Sequence, residues 1–333
     1  MNSHQPIAVA GAGSIGCFVG GMLAAAGYRV ALLARSRVIG EIKANGLRLT
    51  SFDGFDRRIA ANALALSEDP SILGDAALVL VTVKSADTAD MADTIASHAP
   101  RDATIVSLQN GVGNVAMLRE RLAGRRVLGG MVPFNVVALG EGRFHRSTSG
   151  DIYVEQDPAD TAEKLSVPGL KIRAGGNIVG VQWGKLIVNL NNALNALSGL
   201  PLREQLAQRP WRKLFADQMA EGLAAIRAEG ISPVSPTPIP SAWMPPLLRL
   251  PDGIFGLLLG RTMQIDPQAR SSMSEDLQRG RRTEIDYLQG VVAAIADRHG
   301  LKAPLSHRII ELIRQAAATG EGSPKLTPEQ IRS

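Results

Sequence analysis

The chain has 333 residues, more than one hydrophobic core usually supports, so two domains are expected. Hydrophobic residues make up 45% and charged residues 20%, ordinary for a globular protein, while aromatics are only 4% and argue against base-stacking platforms. The net charge of +5 is spread without a basic tail or aromatic–basic interleaving, which points to small anionic ligands and excludes a nucleic-acid binder, and a single Cys17 excludes a disulfide framework or a cysteine-based metal site.

In chain order, the N-terminus MNSHQP lacks the charged-then-apolar pattern of a signal peptide, and no apolar run reaches about 18 residues. A cytoplasmic protein is the expectation. Ile7–Ala10 reads as a buried strand. Residues 14–26 read as a helix that is apolar nearly all round, with Gly20 and Gly21 allowing close approach to a sheet and Gly27 at the helix C-cap. Tyr28–Leu33 is the next strand. Leu78–Val83 is a continuous β-branched run, the mark of a strand buried on both faces. Residues 87–97 read as helix and Ala103–Ser107 as strand. Strands alternating with helices predict a parallel doubly wound α/β sheet.

After about Val127 the pattern changes. Residues 143–155 alternate and suggest antiparallel or edge strands. From about Asn177 the chain reads as helices, over 178–197, 211–229, 268–299 and 304–318. The proline-rich stretch 233–251 is too apolar for a free linker, with Trp243, Leu247 and Leu248 inside it, and is expected as an ordered crossing within one domain. Residues 319–333 are expected to be a partly ordered end. Domains of 1–177 and 178–333 follow, with a ligand site expected between them, since sites favour domain clefts.

The run GAGSIG, Gly11, Ala12, Gly13, Ser14, Ile15 and Gly16, follows a strand and opens a helix. Gly11 would make the tight turn, Gly13 would admit a pyrophosphate to the helix N-terminus, and Gly16 would let helix and strand pack closely. In this strand–loop–helix setting the run reads as a dinucleotide site and not as a plain tight turn. The second strand ends in ARSR, without the acidic residue that meets the ribose of NAD, so Arg35 and Arg37 point to the 2′-phosphate of NADP(H). Cys17 reads as a small buried side chain on the helix and not as a catalytic thiol. Lys84, in VKSADT, sits at a strand's C-terminal end, where it meets either cofactor phosphate or solvent. Asn110, in QNGVGN, lies in a second glycine loop at the same edge.

Lys185, Asn189 and Asn192, in WGKLIVNLNNALNALSG, stand at i, i+4 and i+7 on one helix face. A lysine with two amides on an otherwise apolar helix is costly unless a ligand or partner satisfies it. In SSMSEDLQRGRRTEIDYLQG, Asp276, Gly280 and Glu284 are expected along one helix edge, with Ile285, Leu288, Val292 and Ile295 as the docking stripe.

Taken in order, these motifs resemble the ketopantoate reductase (2-dehydropantoate 2-reductase) family over nearly the whole chain. The resemblance implies an N-terminal Rossmann-type domain joined to an all-helical C-terminal domain of the 6-phosphogluconate-dehydrogenase-like type. It implies reduction of 2-dehydropantoate to pantoate with NADPH, for coenzyme A synthesis. Residue by residue, Lys185 matches the catalytic lysine, Asn189 and Asn192 substrate-contacting amides, and Glu284 the substrate-holding glutamate. Ser272 matches a serine near the substrate carboxylate. Asn110 matches the asparagine near nicotinamide and substrate, and Arg35 and Lys84 match basic residues at the adenosine phosphate. The run after Asn189 departs from the family's N-x-x-x-N-P-L-T-A type and is one residue shorter.

The implied partners are a 2-keto acid and, for assembly, a second copy of the chain as a homodimer, with neither nucleic acid nor membrane. Lys185 would give a proton or stabilise charge on the carbonyl oxygen, and Glu284 would accept from a substrate hydroxyl. No metal is required. The rival readings are a paralogous reductase of another 2-keto acid, an oxidising enzyme of the 6-phosphogluconate-dehydrogenase-like group, and an NADP-binding sensor without turnover.

Overall fold

A computed structural model describes residues 5–235, 239–259 and 268–333. The chain divides into two units, Met1–Ile178 and Val179–Ser333. In the first, eight of the described strands form one sheet in the order β12-β11-β8-β7-β6-β1-β2-β5. These are β1 Ile7–Ala10, β2 Val30–Leu33, β5 Leu64–Ser67, β6 Leu78–Val81, β7 Thr104–Ser107, β8 Val127–Met131, β11 Ile152–Glu155 and β12 Ile172–Gly175. The run from β5 to β8 is parallel, whereas β11 enters antiparallel to β8. The sheet is therefore mixed at that end, as the alternating pattern of residues 143–155 suggested, and parallel elsewhere from β5 to β8. Helices α1 Ser14–Ala25, α2 Ser36–Asn45, α3 Thr88–His98, α4 Asn114–Arg121 and α5 Thr161–Leu165 connect the strands.

The pleat of β1 explains its unbroken apolar run. Ile7 and Val9 join the core that includes α1, while Ala8 and Ala10 join the core on the other face with Val79 and Val81. Helix α1 lies close because Gly20 and Gly21 leave room: a Cβ there would stand 2.8 Å from Leu32 Cδ2 and 2.6 Å from Leu47 Cδ2. A second sheet was not read from the sequence. It is β4-β3-β10-β9, from β3 Leu47–Ser51, β4 Asp56–Ile59, β9 Val136–Gly140 and β10 Arg143–Arg146. The alternating 143–155 segment thus splits, β10 entering the small sheet and β11 the large one.

The second unit is helical: α6 Ile178–Asn189, α7 Asn191–Ser198, α8 Leu202–Ala207, α9 Arg209–Ala228, α10 Met244–Leu248, α11 Asp252–Leu259, α12 Ser272–Gln278, α13 Gln289–Arg298, α14 Pro304–Thr319 and α15 Pro328–Arg332. Two expected long helices are interrupted. The 178–197 segment turns at Leu190, whose carbonyl is taken by the buried Gln289 side chain at 2.8 Å. The 268–299 segment stops at Gln278, because Gly280 takes φ +59, and helix resumes only at Gln289 after a short 3₁₀ turn, Ile285–Tyr287. Asp276, Gly280 and Glu284 therefore do not share one helix edge as expected. The end of the chain is also more ordered than expected. Thr327 and Gln330 close a capping box on α15, and Ile331 is fully buried.

The proline-rich stretch includes α10, and its residues 236–238 lie outside the described residues. Val234 donates to Gly180 O at 2.8 Å and lies on α6 where Gly184 has no side chain; a Cβ at Gly184 would collide with the Val234 carbonyl.

Candidate active site

The C-terminal edge of the parallel strands collects the N-terminal candidates. Gly11 has φ +84, and a Cβ there would collide with Val83. Its amide and that of Ala12 donate to Leu33 O at the end of β2, while its own carbonyl accepts from Thr82 Oγ at 2.9 Å, just past β6. The turn is thus tied to both neighbouring strands. A Cβ on Gly16 would stand 2.5 Å from Thr82 Oγ and 2.8 Å from Val9 Cγ1. Gly13 differs: its nearest neighbour would be Gly11 O at 4.0 Å, and it is exposed. It is the N-cap of α1, so no side chain caps the first-turn amides, and no acidic residue sits in that turn. An open glycine over uncapped amides fits a phosphate group.

Asn110 follows β7, and the loop turns through Gly111 at φ +82 and Gly113 at φ +90. A hydrogen-bonded network ties this loop to the one carrying Lys84. Ser85 Oγ donates to Asn110 O (3.0 Å), and Asn114 Nδ2 donates to Asn110 O (2.7 Å) and Ser85 Oγ (3.1 Å). Thr88 Oγ donates to Asn114 Oδ1 (3.0 Å), and Gln109 Nε2 donates to Thr88 Oγ (2.7 Å) and Val83 O (3.2 Å). Ser85, Thr88, Gln109 and Asn114 are buried, so this network holds two loops in one arrangement. Sequence reasoning did not single these four out; they stand inside the motifs already quoted but look like ordinary loop residues. Lys84 and Asn110 are half-buried at the same edge.

Beyond β2, Arg35 is the N-cap residue of α2 and is exposed, whereas Arg37 is salt-bridged to Glu41. A residue distant in sequence joins them. Glu68 follows β5, whose Ser67 is in register with Leu33, and its Oε1 accepts from the Ser36 amide at 2.8 Å. The strand end lacks an acid of its own, but the fold brings one to it. Cys17 is buried, its thiol is pushed up to about 12, first by burial and then by the charge of Glu41, and it donates to Ala12 O at 3.4 Å. It is packing, as read.

In the helical unit, Lys185 is 9% exposed on α6, next to the glycine that Val234 covers. Burial pulls its ammonium down from 10.5 to about 8, and the negative charge of Glu284 opposes that fall. Lys185 and Glu284 are thereby brought into electrostatic reach, although Glu284 comes from the non-helical segment before Ile285. Asn189 and Asn192 are half-buried. The fully enclosed amides of this run are others, Asn191 and Asn195. Asn191 exchanges hydrogen bonds with Gln205 at 3.3 Å, and Asn195 donates to Leu200 O and Gln205 Oε1 and accepts from the Ser271 amide at 2.9 Å. Ser271 caps α12 and donates to Asn192 O at 2.8 Å, which leaves Ser272 half-buried at the first helical position. Asn192 and Ser272 thus belong to segments held to one another by these bonds.

A buried lysine beside a carboxylate, with amides and a hydroxyl nearby, can hold a carbonyl oxygen and move a proton to it. Among the described residues, no helix is long and apolar enough to cross a membrane.

Comparison with known proteins gives the family. The family model described as "Ketopantoate reductase PanE/ApbA" matches residues 7–158, and its C-terminal counterpart matches residues 177–317. The 2-dehydropantoate 2-reductase of Halobacterium salinarum is 29% identical, covering 94% of this chain and 99% of that protein. The crystal structure of a PanE/ApbA family ketopantoate reductase from Ralstonia eutropha is 32% identical, with TM-score 0.81, over 95% of this chain and 100% of that one. D-mandelate dehydrogenase, solved with NADH and anilino(oxo)acetate, shares the fold at 22% identity and TM-score 0.78, over 95% and 99%. The chain belongs to the ketopantoate reductase family, oxidoreductases with a Rossmann-like domain and a helical C-terminal domain.

Proposed function

We propose that this protein reduces 2-dehydropantoate to (R)-pantoate with NADPH, as a step toward pantothenate and coenzyme A. The observation that carries the reading is Lys185, buried on α6 with its ammonium lowered to about 8 and the charge of Glu284 in reach. Such a group is an acid suited to neutral pH. The nicotinamide cofactor supplies the hydride for the keto carbon. Gly11, Ala12, Gly13, Ser14, Ile15 and Gly16 would hold its pyrophosphate, Arg35 and Lys84 its adenosine phosphate, and Asn110 its nicotinamide end. Lys185 holds the keto oxygen and releases a proton to it as negative charge develops. Asn189, Asn192 and Ser272 orient the substrate, and Glu284, half-buried, accepts from its hydroxyl, a contact that a plain 2-keto acid does not make.

A second reading, a reductase of another 2-keto acid, has an observation of its own. The run after Asn189 is one residue shorter than in the family pattern, and its Asn191 and Asn195 are committed to Gln205 and Ser271. Optical assay of NADPH consumption with 2-dehydropantoate and a set of plain 2-keto acids separates the two. The expected result is turnover of 2-dehydropantoate alone, reduced by about 10²-fold or more in Lys185→Ala with NADPH binding retained. Turnover confined to another keto acid would favour the second reading, and NADPH binding without any turnover would favour a sensor.

A further inference from the structure

The carboxylate of Glu68 stands where the adenosine end of the cofactor would need an anion site. In a β-α-β unit the adenosine ribose lies past the end of the second strand, and a 2′-phosphate there is met by arginine and by first-turn amides of the following helix. Here that helix is α2, its first amide is Ser36, and Arg35 is the exposed cation beside it. The Ser36 amide already donates to Glu68 Oε1 at 2.8 Å. The contact is built by the sheet: Leu33 pairs with Ser67, and the Ala34 amide donates to Ser67 O at 3.0 Å, which delivers Glu68 to the start of α2. One N–H cannot serve two anions, and a carboxylate and a phosphate at this distance repel.

We propose that Glu68 is a specificity-determining residue that competes with the 2′-phosphate for the α2 N-terminus and narrows the preference for NADPH over NADH. The inference rests on the nicotinamide-cofactor reading above. NADH, without a 2′-phosphate, leaves the Glu68–Ser36 contact in place, whereas NADPH must displace it. The sequence alone gave the opposite emphasis, because the acid arrives from β5 and not from the end of β2.

The test is binding of NADPH and NADH, followed by fluorescence titration, to the full-length protein and to Glu68→Gln and Glu68→Ala. Glu68 is exposed, so both variants should keep the wild-type unfolding midpoint. The expected result is that NADPH binds about fivefold tighter to the variants while NADH changes by less than about twofold. An unchanged ratio of the two affinities overturns the proposal but leaves the cofactor reading intact. Selective weakening of NADH would make Glu68 a ribose acceptor and equally overturns the competition. Failure of the wild type to bind either dinucleotide overturns both.

Discussion

Gly13 and Gly16 belong to the same motif but do different work, and the difference is measurable. Gly16 is closed by Thr82 and Val9, so Gly16→Ala forces helix and strand apart and should cost about 1–3 kcal/mol of stability. Gly13 has open space around it, so Gly13→Ala should leave the unfolding midpoint unchanged and weaken dinucleotide binding at least about tenfold, by filling the phosphate's approach. Equal loss of stability in both variants would refute the division. Lys185 makes a second prediction at this scale. Its folded value of about 8 lies below the ordinary 10.5, so between these the unfolded chain binds more protons and stability rises with pH. Below about pH 8 the burial cost is carried in full, roughly 3 kcal/mol at 1.36 kcal/mol per pH unit. Lys185→Met should therefore be more stable than wild type near pH 7 by about 1–3 kcal/mol, with the gap closing near pH 10. Turnover of the wild type should decline as pH rises through about 8 and the acid is lost. Urea unfolding at the two pH values and a pH–rate profile check this; a wild type as stable as the variant at pH 7 would refute it.

At the scale of elements, the ordered crossing read over 233–251 has, among its described residues, an anchor that the sequence did not reveal. Arg212, fully buried on α9, donates to Leu206 O, Ala207 O, Leu248 O, Leu250 O and the Asp252 carboxylate, at 2.8–3.2 Å, and lies 4.1 Å from the Phe255 ring centroid. All five N–H groups are used, pinning the end of α8 and the α10–α11 junction to α9. Arg212→Met should cost about 3–5 kcal/mol, since the carbonyls lose a buried donor, and circular dichroism of thermal unfolding would show it. A change below about 1 kcal/mol would mean that the fork is dispensable. Continuous apolar runs found β1, α1, β6 and β7, which are buried on all sides, and periodicity found α9 and α14, each of which buries one face. Periodicity failed at 268–299, where apolar spacing continues across a break made by one glycine, although arginine followed by Gly280 is a helix-stop signal. It also missed the small sheet, whose strand β4 exposes Asp56, Arg57 and Arg58 and so carries no apolar alternation. Of the candidate site, motif residues were legible one by one. What holds them, Gln109–Thr88–Asn114 and Asn191–Gln205–Asn195, was not, because amide pairing depends on contacts between distant segments.

For the molecule as a whole, the candidate ligand groups divide by unit. Gly11–Gly16, Arg35, Lys84 and Asn110 lie in Met1–Ile178, and Lys185, Asn189, Asn192, Ser272 and Glu284 in Val179–Ser333. A net charge of +5 suits anionic ligands at both sets. Binding to the folded state alone stabilises it by mass action, about 2.7 kcal/mol at a hundred times Kd. For a unit of this size that is an upward shift of roughly 5–10 °C in the unfolding transition that includes the glycine loop. NADPH should therefore raise that transition in differential scanning calorimetry at the full chain's working concentration, and the shift should grow with the logarithm of NADPH added. Gly13→Ala should lose the shift while keeping the ligand-free midpoint, because it blocks the phosphate without disturbing the core. A midpoint that stays fixed at saturating NADPH and NADH would sink the cofactor assignment, whatever the family's chemistry. A shift that survives in Gly13→Ala would place the dinucleotide elsewhere than on the α1 amides.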